Sequence, residues 1–279
     1  DANGKKYIDT ANNVNHVGHQ HPKVVVAGQQ QMAVLNTNTR YLHKEIVNYA
    51  ETLLKKLPEE LSVLHFVNSG SEANELALRM AKTITKQNDV LAIEVGYHGN
   101  TNAVMDVSSY KFDGKGGFPK PEHTHILPLP DSYRGKHTDA NCGSAYANYA
   151  AEIIDSLKEK NRNVAAFIGE SMISCGGQIV PPKNYFKKVY KTVREAGGLC
   201  IADEVQTGFG RMGKTFWAFE LFDVVPDIVT MGKPAGNGHP LAVVACTKEV
   251  SEKFHTGMEF FNTFGGNPVS CAIGRTVLE

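Results

Sequence analysis

The chain has 279 residues, enough to bury a substantial core and more than one usual domain. Its 29 Lys and Arg balance 29 Asp and Glu, so net charge draws it to neither nucleic acid nor membrane. No apolar run can span a bilayer, no signal-peptide pattern is present, and the five scattered cysteines (Cys142, Cys175, Cys200, Cys246, Cys271) form no CxxC pair, which argues against a disulfide scaffold or zinc site and for a reducing, cytoplasmic setting.

Residues 1–9 read as a turn at Asn3-Gly4 between short extended pieces. His16, His19 and His21 crowd into six positions, but Gly18 and Pro22 break any helix that would aim the rings together and no Cys or acid completes a ligand set. A loop role is expected there, and no metal. Pro22 to Leu35 reads as a helix with Pro in its first turn, and Glu45 to Leu57 as a second, amphipathic one. Between them Arg40 stands alone among uncharged neighbours, ordinarily a surface charge.

Val63 to Val67 is a strand, and Asn68-Ser69-Gly70-Ser71-Glu72-Ala73-Asn74 opens a helix running to about Thr85. A strand, a Gly/Ser turn and a helix start form an anion site, because free N–H groups and the helix dipole both favour phosphate. The plainer reading makes Ser71 an N-cap with Glu72 in the first turn. Asp89 to Val95 is the next strand and ends in Gly96-Tyr97-His98-Gly99, where an aromatic ring can stack on a flat ligand or simply form part of the rim. Ser108 to Arg134 reads as one long irregular loop, and a loop of that length is uncommon unless it is functional.

Ser144 to Lys160 is a helix, Asn163 to Gly169 a strand ending at Glu170, and Pro182 to Ala196 a further helix. Leu199 to Ala202 is a short apolar run after a Gly pair, the pattern of a buried parallel strand, and it ends in Asp203 and Glu204. A second run, Asp227 to Met231, ends in Gly232-Lys233. Ligands of open α/β sheets bind at strand C-termini, so Asp203 and Lys233 are expected to face one crevice. A lysine in apolar surroundings is the usual Schiff-base residue, and an Asp suits a pyridinium nitrogen. An Asp–Lys ion pair explains this stretch equally well. Leu241 to Cys246 is one more buried run, and a last helix begins at Pro268. Strands alternate with helices throughout, which predicts an α/β layered fold with a mostly parallel sheet.

The run from Asp203 through Gly210-Arg211, followed by Pro226 to Lys233, resembles the signature of class III pyridoxal-phosphate aminotransferases. The resemblance covers nearly every residue and implies the large domain of a fold type I pyridoxal-phosphate enzyme. Residues 1–35 would belong to an N-terminal segment and 36–279 to the cofactor-binding domain. The chain is then expected to be a piece of a longer polypeptide that lacks the C-terminal small domain. The resemblance implies Lys233 as Schiff-base lysine and Asp203 on the pyridine nitrogen. It also implies Gln206 near the phenolic oxygen, Val205 and Tyr97 against the ring, His98 and Glu170 close by, and Gly70 and Ser71 on the phosphate. Thr263 would reach the partner's cofactor phosphate, making the enzyme a homodimer with shared active sites.

A dinucleotide-binding reading fails for want of a GxGxxG turn, and Lys233 counts against an inactive relative. Within the family, segments such as NTNTRYLH, ESMISCGGQIVPP and TMGKPAGNGHPLA resemble the ethanolamine-phosphate and phosphohydroxylysine phospho-lyases. Many class III transaminases carry, after the strand-end Glu, a second Glu that pairs with a C-terminal gating Arg. Cys175 stands at that position here, and a neutral thiol cannot hold the arginine. The expected reaction is therefore elimination of phosphate and ammonia from a phosphorylated amine, with Arg40 as a partner for the substrate phosphate. The alternative is a true ω-aminotransferase.

Overall fold

The structure is a computed structural model that describes residues 1–279. Seven strands form one mixed sheet: β1 (Val63–Val67), β2 (Asp89–Ile93), β3 (Thr124–Leu127), β4 (Val164–Glu170), β5 (Leu199–Asp203), β6 (Ile228–Met231) and β7 (Ala242–Cys246). Their order is β1-β7-β6-β5-β4-β2-β3. The pairings from β3 through β2, β4 and β5 to β6 are parallel. β7 runs against both β6 and β1. All strands but β7 therefore deliver their C-termini to one edge of the sheet.

Every residue of β2, β4, β6 and β7 is buried, as expected of strands covered on both faces. On one face α3 (Gly70–Thr85) lays Leu76, Ala77, Met80 and Ala81 against Val90, Ile168, Ile201 and Val244. Each large apolar side chain so buried contributes about 1.5–3 kcal/mol. On the other face α5 (Cys142–Glu159) and α6 (Tyr185–Glu195) pack Tyr146, Ile154, Phe186 and Tyr190 onto Leu91 and Phe167. A third cluster joins Tyr49 and Leu53 of α2 (Lys44–Leu54) to Trp217, Phe219 and Cys271. Cys271 lies on α8 (Pro268–Leu278), which also packs against α1 (Pro22–Val34).

Several boundaries differ from the sequence reading. β2 ends at Ile93 rather than Val95, because Val95 turns to φ +56° and the Gly96 amide folds back on the Ile93 carbonyl at 3.0 Å. α6 starts at Tyr185, not Pro182, since Asn184 sits at φ +70°. The long loop from Ser108 contains β3, a four-residue edge strand too short to display periodicity. α4 (Asn102–Asp106) and α7 (Lys248–Phe254) complete the helices, the latter capped by Thr247. The Asn3-Gly4 turn is present, with Gly4 at φ +79°, but its flanks pair with no strand. His19 meets Asp9 at 2.8 Å and His16 meets Arg211 at 3.1 Å, so two of the clustered imidazoles serve loop contacts.

Candidate active site

β1 leads through Asn68 into the amino end of α3. Ser69, not Ser71, is the N-cap: its hydroxyl accepts from the Glu72 amide at 3.2 Å and its carbonyl from Ala73 at 3.0 Å. The amides of Gly70 and Ser71 have no intrahelical acceptor and remain available at the positive end of a 16-residue helix. Gly70 is required by close approach, since a Cβ there would stand 2.8 Å from Val205 Cγ1. Gly99 is required twice over, by its φ of +137° and by Ser71 Oγ, 2.6 Å from where its Cβ would be.

Asp203 ends β5 almost completely buried. Its Oδ2 accepts from Asn74 Nδ2 at 2.8 Å and meets His98 Nδ1 at 2.8 Å, and its Oδ1 accepts from the Val205 amide at 3.0 Å. Thr230 Oγ1 in turn donates to Asn74 Oδ1 at 2.6 Å, and Asn74 Nδ2 also reaches the His98 carbonyl at 2.8 Å. This network takes up the carboxylate, so the Asp203–Lys233 ion pair admitted by the sequence does not form. Lys233 follows β6 with φ +30°, a strained backbone setting for a side chain with a Cβ.

Gly70, Ser71, Tyr97, His98, Glu170, Asp203, Val205, Gln206 and Lys233 all line one cavity of about 160 Å³, together with Asn74 and Gly99. That is room for far more than one water. Asn13 and Cys175 flank Gln206: the Asn13 amide donates to Gln206 Oε1, and Gln206 Nε2 lies 3.6 Å from Cys175 Sγ. Cys175 is exposed. Partial desolvation of its sulfur, with the charge of Glu170 adding to it, pushes the thiol pKa up. Glu170 is buried beside Asp203, and burial pushes its pKa up to about 7. Beneath the cavity Glu204 is completely buried and accepts four hydrogen bonds: Ser171 Oγ at 2.7 Å, Thr207 Oγ1 at 2.8 Å, and the amides of Ala218 and Phe219 at 3.0 Å each. Glu204 thereby ties the loops after β4 and β5 to the segment from Trp217.

Thr263 and Arg40 do not line this cavity. Thr263 is exposed in the turn before α8. Arg40 is exposed as well, its guanidinium over the Phe261 ring at 4.4 Å and 3.9 Å from Glu259. The turn that carries Thr263 is held by Asn262, whose Oδ1 accepts from Asn68 Nδ2 at 3.0 Å, from the Phe264 amide at 3.2 Å and from the Gly265 amide at 2.8 Å. The sequence reading missed Asn74, Thr230 and Asn262. Asn74 lies one turn after the phosphate-type cradle, and a polar residue on the otherwise apolar face of α3 was the available signal.

The cavity therefore combines an anion cradle, a strand-end acid held as an anion acceptor and a lysine without a carboxylate partner. Tyr97 and Val205 add apolar contact surface. Cβ atoms at positions 70 and 99 would press on Val205 and Ser71, so glycine keeps the backbone of the cradle closely packed and bare, which fits a phosphate approaching it. Such a set suits a phosphorylated aromatic cofactor of the pyridoxal-phosphate kind. The chain belongs to the aminotransferase class III family, whose family model matches residues 1–279, and members of that family depend on pyridoxal phosphate.

The chain is 55% identical over 285 residues to "Alanine--glyoxylate aminotransferase 2-like" of Drosophila melanogaster, covering 100% of this chain and 58% of that protein. It is 44% identical over 292 residues to "Ethanolamine-phosphate phospho-lyase homolog 1" of Caenorhabditis elegans, covering 100% and 62%. Among solved structures, a phospholyase from Arthrobacter in complex with phosphoethanolamine superposes with a TM-score of 0.92 at 42% identity, over 99% of this chain and 65% of that one. The chain thus spans about three-fifths of the length of these relatives. No helix is long and apolar enough to cross a membrane.

Proposed function

We propose that the full polypeptide is a pyridoxal-phosphate-dependent phospho-lyase that releases phosphate and ammonia from a phosphorylated primary amine of the phosphoethanolamine type. The observation that carries this reading is the likeness, at TM-score 0.92 and 42% identity, to a phospholyase holding phosphoethanolamine. The exposed neutral thiol of Cys175, beside Gln206 of the cavity wall, supports it, because it offers a gating arginine no carboxylate.

Each residue has a role in this proposal. The Gly70 and Ser71 amides and the Ser71 hydroxyl hold the cofactor phosphate. Asp203, fixed by Asn74 and His98, keeps a proton on the ring nitrogen. Gln206 stands by the phenolic oxygen, and Tyr97 and Val205 sandwich the ring. When bound, the cofactor supplies an electron sink for the carbon that bears the amine. Lys233 would hold the cofactor through its Nζ, and the same Nζ would take the proton from that carbon. Loss of that proton and of the phosphate on the adjacent carbon would form a carbon–carbon double bond, and hydrolysis of the resulting enamine would leave an aldehyde and ammonia beside the inorganic phosphate.

Residues 36–279 serve as the cofactor-binding domain in this reading and 1–35 as part of an N-terminal segment. A homodimer is part of it as well. Thr263, the exposed Phe264 and Arg40 lie on one exposed region beside the cradle, from which Thr263 would reach the partner's cofactor phosphate and Arg40 the substrate phosphate. Five unpaired cysteines support a cytoplasmic location.

A second reading, an ω-aminotransferase, is favoured by the 55% identity to a protein named for amino transfer. One measurement separates the two. Full-length protein given phosphoethanolamine or phosphohydroxylysine without a keto acid is expected to release phosphate and ammonia over many turnovers. Arrest after a single turnover per site, relieved by a keto acid, would refute the lyase reading.

A further inference from the structure

Glu170 and Asp203 are registered partners at the ends of the adjacent parallel strands β4 and β5, and both side chains are almost fully buried. Two carboxyl groups so placed do not both ionise readily, since each charge raises the free energy of the other where water is scarce. The donors around them decide which one keeps the proton. Asp203 has Asn74 Nδ2, His98 Nδ1 and the Val205 amide on its two oxygens, an arrangement that favours the anion. Glu170 has one neutral donor, the Ser174 hydroxyl, on Oε1, and its Oε2 is buried without any partner. An unpartnered buried oxygen in a cavity wall is costly unless something entering the cavity satisfies it.

The other charged or titratable groups facing Glu170 come from every neighbouring element. His98 faces it from the segment after β2, Lys233 from beyond β6, and Cys175 from its own loop. His98 and Lys233 favour ionisation of Glu170, whereas burial and the Asp203 charge oppose it and outweigh them.

We propose that Glu170 is a neutral hydrogen-bond donor of this cavity: its protonated Oε2 donates to an acceptor atom of the bound cofactor, leaving Asp203 as the one anion at these strand ends. This rests on the cavity being the cofactor site, but the protonation of Glu170 does not. Burial first and then Asp203 hold the carboxyl neutral up to about pH 7, above which the donor is lost.

The test uses the full-length protein and two substitutions, Glu170→Gln and Glu170→Leu. Gln keeps an acceptor for Ser174 and a donor for the cavity, whereas Leu keeps neither. In the cofactor-free protein at pH 6, the infrared carbonyl band of buried protonated acid is expected in the wild type and should lose the Glu170 share in Glu170→Gln, leaving that of Glu204. Pyridoxal-phosphate affinity should fall at least about tenfold in Glu170→Leu, the loss of one buried hydrogen bond, with most of it restored in Glu170→Gln. Wild-type affinity should weaken as pH rises through about 7, with this step missing from Glu170→Gln. A protonated-acid band undiminished in Glu170→Gln would overturn the proposal, as would a Gln variant that binds as poorly as Leu. A band that Glu170→Gln diminishes, in protein that never binds the cofactor, would instead refute the reading of the cavity and leave Glu170 neutral.

Discussion

Glu204→Gln is the sharpest probe of how the cavity floor is built. Burial pushes the Glu204 carboxyl from an ordinary 4.5 up to about 7, against the pull of its four donors. A carboxyl raised in the folded state contributes stability that is complete below pH 4.5 and is lost as pH rises through 7. Full ionisation costs the fold about 3 kcal/mol. The protonated acid keeps all four contacts, because its own O–H can donate to Thr207 or Ser171 while each oxygen still accepts a backbone amide. A glutamine cannot do this. Its NH2 group can donate to a hydroxyl but faces one of the Ala218 and Phe219 amides, which loses its acceptor at a cost of about 2 kcal/mol. That loss does not vary with pH. The variant should therefore be about 1 kcal/mol less stable than wild type at pH 5 and about 1 kcal/mol more stable at pH 8. Urea unfolding of both proteins at the two pH values measures the difference, and the Glu170 titration cancels because both carry it. A gap that stays constant with pH, or widens toward pH 8, would show that Glu204 is an ordinary ionised carboxylate.

Asn74→Ala should remove about 2 kcal/mol of stability and weaken pyridoxal-phosphate binding roughly tenfold, because Asp203 loses one donor and Thr230 its acceptor. An unchanged cofactor titration with a lowered urea midpoint would confine Asn74 to the fold. Mixing Thr263→Ala subunits with Lys233→Ala subunits should yield heterodimers with one intact site and more activity than either parent. Proven heterodimers without recovery would mean that Thr263 serves its own subunit.

Much of the architecture is written in local patterns, and the exceptions have physical causes. β5 and β6 are apolar runs bounded by Gly or Pro, and α3 carries its turn residues at its start, so short windows suffice to find them. β3 owes its existence to pairing with β2 at the sheet edge, a distant contact that four residues cannot announce. The candidate residues at the ends of β2, β4, β5 and β6 converge because a parallel sheet brings its C-termini together. Asn74 escaped the sequence reading because its partners, Asp203 and Thr230, lie far along the chain. Which oxygen of Glu170 lacks a partner is likewise a matter of three-dimensional neighbours, and Ser69 rather than Ser71 caps α3 because the helix begins at Gly70, which leaves the Ser71 hydroxyl within the first turn to accept from the Asn100 amide at 3.0 Å.

The Asn262 contacts bear on how durable the turn before α8 is. Exposed turns usually open and close independently of the core, and their amides exchange with solvent at the rate of that local opening. Here one side-chain oxygen holds the Phe264 and Gly265 amides while also bonded to Asn68, whose own amide donates to Glu72 at 2.7 Å in the first turn of α3. The turn cannot loosen without releasing a bond to the strand–helix junction beneath it. A segment on the surface by accessibility thus shares the persistence of the layer it rests on, and the position of Thr263 is set by the interior as firmly as that of a buried residue.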